Sequence, residues 1–215
     1  MSKVEEKYLD ELVERFPVLE AVKEPIWAGY EVIRDSYVNG GKLLVAGNGG
    51  SAADSEHIVG ELMKRFEIPR TVPAEFAEKL KAVDPERGDQ LAKNLEQSLM
   101  AIALVAHEAL STAYINDVDG YGVFAQQLYG YGRKEDVFLG ISTSGNSENI
   151  INAVVVAKAI GMKVIGLTGK DGGKLAKMAD VAVVVPQMET YKIQEYHLPI
   201  YHCWCHMVEE YFFHS

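Results

Sequence analysis

Five short runs of this chain are apolar at nearly every position, and the spacing between them turns helical. The runs fall at residues 42–46, 100–105, 136–141, 163–168 and 181–185. A strand without a polar face must be covered on both sides, so the pattern predicts a parallel sheet sandwiched between helices. Helical spacing is expected at 51–66, 107–116, 121–131, 147–160, 173–179 and 192–213. Residues 3–39 read as helix ahead of the first strand, with Pro25 suited to the first position of a second helix and Asn39-Gly40-Gly41 as a stop. The expected architecture is α/β: a three-layer, doubly wound parallel sheet of about five strands forming a single domain over 1–215, with a helical arm at 1–39. Residues 70–99 interrupt the alternation and read as a helical insertion, two helices joined by a turn.

Two strand ends share one design. Asp136-Val137-Phe138-Leu139-Gly140-Ile141 runs into Ser142-Thr143-Ser144-Gly145-Asn146-Ser147, and Lys42-Leu43-Leu44-Val45-Ala46 runs into Gly47-Asn48-Gly49-Gly50-Ser51; a helix follows each. Free backbone N–H groups, hydroxyl donors and the positive end of a helix dipole then meet at one spot, which is a cradle for phosphate. Ligands of doubly wound sheets bind outside the carboxyl ends of the strands, where both junctions lie. A phosphorylated, polyhydroxylated small molecule held between them is the expected ligand.

The bulk composition removes other classes. The net charge is −10 and no Lys/Arg run offers a nucleic-acid or anionic-membrane footprint, so neither nucleic acid nor membrane is an expected partner. No apolar run reaches the roughly 18–20 residues of a bilayer span, and Met1 to Glu6 does not read as a signal peptide. Two cysteines give no disulfide framework, so the cytoplasm is the default location.

The helix after the first glycine-rich loop carries His57 and Glu61 four residues apart, hence on one face, with Arg65 a turn further on. The last helix carries Gln194, His197 and His202. A His/Glu pair on one helix can ligate a metal or act as acid and base, and is also a common surface pair.

Taken in order, Gly47 to Ser51, His57, Glu61, Asn116-Asp117, Ser142 to Ser147, Leu167 to Gly173 and Ile193-Gln194-Glu195 resemble the sugar-isomerase (SIS) domain family, and within it the phosphoheptose isomerases. The resemblance runs from about residue 40 to 213 and is weakest over 70–99. It implies interconversion of sedoheptulose 7-phosphate and a glycero-manno-heptose 7-phosphate by way of an enediol. It also implies that Asn48, Gly49, Gly50, Ser51, Arg65, Asn116, Asp117 and Gln194 contact the substrate, and that Ser142, Thr143, Ser144 and Ser147 hold its phosphate. His57, Glu61, Gln194 and His202 match zinc-binding positions, with Glu61 and His202 as the proton-transfer pair; no nucleotide cofactor is implied. The family is typically a homotetramer with sites at subunit interfaces, a use that the 1–39 arm would fit.

Gln194 and His202 stand about 12 Å apart along a continuous helix and about 80° apart in facing. They share one ion only if Gln194 lies in a frayed turn or one of the two comes from another subunit. In His202-Cys203-Trp204-Cys205-His206 the two cysteines face about 200° apart, so they read as packing residues, while His202 and His206 share a face. His197 reads as a structural histidine and His107 as a helix cap. Two departures from the family pattern, Tyr191 at a usually acidic position and the long 70–99 segment, bear on which sugar is taken. The alternatives from other classes are a non-catalytic SIS adaptor of the DnaA-binding type and a sugar-phosphate sensor. That adaptor lacks the matching glutamate and final histidine; Glu61 and His202 are present here.

Overall fold

The computed structural model describes residues 4–214. Five strands, β1 Leu43–Ala46, β2 Ala101–Ala103, β3 Val137–Ser142, β4 Lys163–Thr168 and β5 Val181–Val184, form one sheet in the order β2-β1-β3-β4-β5. Every neighbouring pair is parallel, as the unbroken apolar runs require. Alternation along the pleat divides each strand between two cores. Leu43, Val45, Leu139, Ile141, Ile165 and Leu167 face one side, and Leu44, Ala46, Phe138 and Val164 face the other. Each buried Leu, Ile, Val or Phe among them contributes about 2 kcal/mol.

The first core is closed by α1 Glu6–Arg15, α2 Lys23–Val38, α3 Gly50–Met63 and α10 Thr190–Phe213. The second is closed by α7 Val123–Tyr131, α8 Glu148–Ile160 and α9 Gly173–Met178. The leading segment is therefore a layer of the domain: Leu9, Leu12, Leu19, Ile26 and Tyr30 are buried in the first core. Its boundaries correct one expectation. A 3-10 helix at Pro17–Val22 leads into α2, which begins at Lys23, so Pro25 is its third residue. The first four N–H groups of a helix have no intrahelical acceptor, so proline there sacrifices no bond.

The insertion folds as expected into α4 Ala74–Val83 and α5 Pro85–Asn94, with the Asp84 carboxylate accepting from the Arg87 N–H as the cap between them. Its two stems are tied by an antiparallel bridge between Thr71 and Glu96. No side chain of α4 is buried. The remaining helix, α6 Glu108–Asp117, likewise buries none. His107 precedes it but makes no side-chain cap bond; its ring packs against Tyr131 instead, which corrects the capping expectation. Among the described residues no helix is long and apolar enough to cross a membrane.

One buried ion pair locks α3 to α10. Arg70 and Glu209 are 2% and 1% exposed, and their side chains meet at 2.8 Å. Burial pushes the Glu209 carboxyl up, but the N–H groups of Glu67, Phe66 and Ile68 and the Arg70 guanidinium outweigh it, so its pKa is lowered. Arg70 also donates to the carbonyls of Leu62 and Glu61 at the end of α3. The orphan carbonyls of the helix carrying Glu61 are thus held by a charge anchored on α10.

Candidate active site

The serine-rich turn after β3 is preorganised. Ser142 Oγ and Ser147 Oγ meet at 3.0 Å, Ser144 Oγ accepts from the Asn146 N–H, and Thr143 lies half-buried between them. Gly145 takes φ +63°, and a Cβ there would fall 2.0 Å from the Gly172 carbonyl oxygen, so glycine alone fits. Ser147 occupies the N-cap position of α8 without bonding the helix through its side chain, which leaves the first turn open to an anion.

The glycine-rich loop lies alongside. Asn48 and Asn149 exchange reciprocal amide hydrogen bonds of 3.0 and 2.8 Å, tying the β1–α3 loop to the first turn of α8. Gly49, at φ +58°, turns the chain into α3. A Cβ on Gly50 would lie 2.5 Å from Gln194 Nε2, so the Gln194 amide rests directly on the start of α3. Ser51 is buried, its carbonyl accepting from Ser55 Oγ.

A second constellation forms further along α3. His57 Nε2 stands 3.2 Å from Glu61 Oε1 and 3.5 Å from His202 Nε2, so α3 and α10 deliver three proton-transfer groups to one place. The other Glu61 oxygen pairs with Lys64 at 3.0 Å. Burial, then the neighbouring His57, lower the pKa of His202 against the pull of Glu61. On the far side of His57, Nδ1 meets Tyr201 Oη at 3.0 Å, and Tyr201 donates to Asp54 Oδ1 at 3.1 Å. Burial raises the Asp54 pKa, and the Tyr201 hydrogen bond opposes that rise.

The donor set fits zinc in kind. Two imidazole nitrogens and a carboxylate oxygen, 3.2 and 3.5 Å apart, are spaced like ligands on a tetrahedron with bonds of about 2.0–2.1 Å. The arrangement is open, however: among the described residues no three His, Cys, Asp or Glu side chains are already gathered as a metal cage. Gln194 does not join them within one chain. It lies in continuous α10 helix, which runs through Pro199 unbroken, and so stands about 12 Å from His202 along the axis. Glu61 is similarly about 16 Å along α3 from Gly50. Within one chain, the serine- and glycine-rich turns with Gln194 therefore stand apart from the cluster of His57, Glu61 and His202.

The other sequence candidates make contacts of their own. Arg65 pairs with Glu96 at 3.2 Å, and Asn116 bonds Asp117 at 2.8 Å at the exposed end of α6. His197 is a structural histidine: it is buried against the Thr168 carbonyl, and burial lowers its pKa to about 4. Cys203 and Cys205 are both buried and unpaired. His206 stacks on Tyr8 and packs tilted against Phe66, whereas His202 turns its ring edge-on to His57. Sequence reasoning missed Asp54, Tyr201 and Asn149 as neighbours of the site. Asp54 carried a readable signal, since it precedes His57 by three residues on one helix face. Tyr201 carried none, lying 144 positions from His57.

An all-parallel α/β sheet with an anion cradle at its strand tips is a phosphate-binding architecture, and this chain belongs to the SIS domain family, whose model matches residues 7–103 and 95–169. Its relatives within that family are phosphoheptose isomerases. It is 36% identical to the phosphoheptose isomerase of Helicobacter pylori (strain P12) over 197 residues, covering 92% of this chain and 89% of that protein. It is 39% identical to that of Aneurinibacillus thermoaerophilus, covering 88% and 87%. Among solved structures, the phosphoheptose isomerase from Neisseria gonorrhoeae superposes with a TM-score of 0.72 at 32% identity, covering 97% of this chain and all of the other.

Proposed function

We propose that this chain is an aldose–ketose isomerase interconverting sedoheptulose 7-phosphate and D-glycero-manno-heptose 7-phosphate. The observation that carries the reading is the meeting of Glu61, His57 and His202 at 3.2 and 3.5 Å in a chain that also builds a phosphate cradle. The substrate assignment is supported by the named relatives, which match nearly the full length of the chain.

The hydroxyls of Ser142, Thr143, Ser144 and Ser147 and the open first turn of α8 hold the phosphate. Asn48, Gly49, Gly50, Ser51, Asn116, Asp117 and Gln194 engage the sugar, and Arg65 serves as a further substrate contact once released from Glu96. Glu61 takes one hydrogen from C1 of the ketose as a proton, and the electron pair left on carbon forms the C1–C2 double bond. The C2 oxygen receives a proton from His202, giving the enediol. The protonated Glu61 then delivers its proton to C2, and His202 recovers one from the C1 oxygen as the aldehyde forms. Proton and electron counts close without an external oxidant, so no redox cofactor is needed. His57, Glu61 and His202 would hold zinc, with Gln194 from a second copy as a further ligand. Bound there, the metal would polarise the sugar oxygens and steady negative charge, a contribution of several kcal/mol.

The working form is a homotetramer with sites between copies. The roughly 16 Å between Gly50 and Glu61 supports this, because a sugar touching the glycine loop reaches the carboxylate of its own chain poorly. Helix α6, which buries no side chain in one chain, supports it too. The two free, buried cysteines suit the cytoplasm.

The test is conversion itself. Sedoheptulose 7-phosphate incubated with the protein should yield the aldose phosphate, followed by proton spectra of the new C1 hydrogen. Tight binding with the ketose returned unchanged would leave a sensor, and a stable complex with a replication initiator without conversion would leave an adaptor.

A further inference from the structure

We propose that Tyr201 and Asp54 are positioning residues that fix the ring tautomer of His57, so that its Nε2 offers a lone pair to the space between Glu61 and His202. The metal part of this inference rests on the zinc reading above; the tautomer part does not.

One proton decides the relay. A tyrosine hydroxyl has a single hydrogen, and Tyr201 has two neighbours for it, Asp54 Oδ1 at 3.1 Å and His57 Nδ1 at 3.0 Å. A carboxylate only accepts. If Tyr201 gave its hydrogen to His57, its own oxygen and that of Asp54 would face each other at 3.1 Å with lone pairs on both. The hydrogen therefore goes to Asp54, and the phenol oxygen accepts from Nδ1–H of His57. With Nδ1 protonated, Nε2 of the neutral ring is the unprotonated nitrogen. That atom is the one 3.2 Å from Glu61 and 3.5 Å from His202. Two electron-rich atoms, Nε2 of His57 and Oε1 of Glu61, then meet at 3.2 Å, an arrangement completed by a cation.

Burial makes the relay directional. Tyr201 is 1% exposed, and its ring packs edge-on to both His57 and His202, so it cannot swing to another partner. Asp54 and His57 are three residues apart on α3, which brings both to the same phenol oxygen from α10. Histidines that bind metals generally donate their other ring N–H to an acceptor that sets orientation and basicity, and losing it weakens metal binding by about 10–100-fold. Here a tyrosine stands between the carboxylate and the ring and passes the polarity on.

The polarity predicts opposite effects for two changes at one position. Asp54→Ala removes the acceptor, which frees the Tyr201 hydroxyl to donate to Nδ1 and drives the ring to the Nε2–H form. Asp54→Asn keeps a carbonyl acceptor and retains Nδ1–H. Tyr201→Phe leaves Nδ1 without a partner and gives a tautomer mixture. Nitrogen-15 ring spectra of the metal-free protein, with His57→Gln to assign the signal, read these states without turnover. Zinc alone, titrated against a competing chelator, reads the consequence: affinity falls about 10–100-fold in Asp54→Ala and Tyr201→Phe and stays within about threefold in Asp54→Asn. Unfolding curves for each variant exclude misfolding as the cause. The proposal is overturned if Asp54→Ala keeps the Nδ1–H ring, or if zinc affinity falls with the tautomer unchanged. It is also overturned if Asp54→Asn weakens zinc as much as Asp54→Ala. Should the wild-type protein take up no zinc, the metal reading fails by itself and the ring spectra still decide the relay.

Discussion

Glu209 accepts from three backbone N–H groups and from Arg70 while almost wholly buried, and Arg70 in turn holds two carbonyls at the end of α3. Glu209→Gln would leave the guanidinium buried without its counter-charge, and a broken buried pair costs about 3–5 kcal/mol. Chemical denaturation should show that loss, together with lower activity because α3 carries Glu61. His197 gives a pH signature of a different kind. Its folded pKa of about 4 lies below the unfolded value of 6.5, so between those limits the unfolded chain binds the extra proton. Its contribution is complete above pH 6.5 and is lost as pH falls toward 4. Between pH 7 and pH 5 the wild type should lose about 2 kcal/mol more stability than His197→Gln, checked by denaturant midpoints at both values. Residues at this scale were legible when their spacing was local, as with His57 and Glu61. Arg70 and Glu209 lie 139 positions apart and only the fold brings them together.

The strands were read with most certainty, because a doubly buried parallel strand writes an unbroken apolar run and little else does. Helix ends were less legible. Pro25 could open a helix or sit in its first turn at equal cost, and His107 could cap or stack; tertiary contacts chose the second in each case. The insertion was recognised as two helices, yet its independence from the core was visible only in three dimensions. Helices α4 and α5 pack on each other, and α4 buries no side chain. Replacing residues 74–94 with a short glycine-serine link between the bridged stems should lower the helical circular dichroism only by the share of those two ten-residue helices and shift the thermal midpoint by only a few degrees. A collapse of the fold would show that the hairpin supports the sheet.

At the level of the whole molecule, the serine-rich turn and the Glu61–His57–His202 cluster lie apart along α3, and the proposed function requires them to meet across copies. Particles of four times the 23.8 kDa chain are expected in sedimentation. Mixing Glu61→Gln with Ser144→Asp, each inactive alone, should restore about a quarter of wild-type activity after random exchange of subunits in a closed symmetric assembly. A mixture that stays inactive would place the whole site within one chain. The most direct test of the central claim remains proton transfer at carbon. With sedoheptulose 7-phosphate in heavy water, wild-type protein should wash deuterium into the C1 position. Glu61→Gln should lose that exchange by at least about a thousandfold while binding the sugar phosphate within about threefold. Exchange at the wild-type rate in Glu61→Gln would contradict the account.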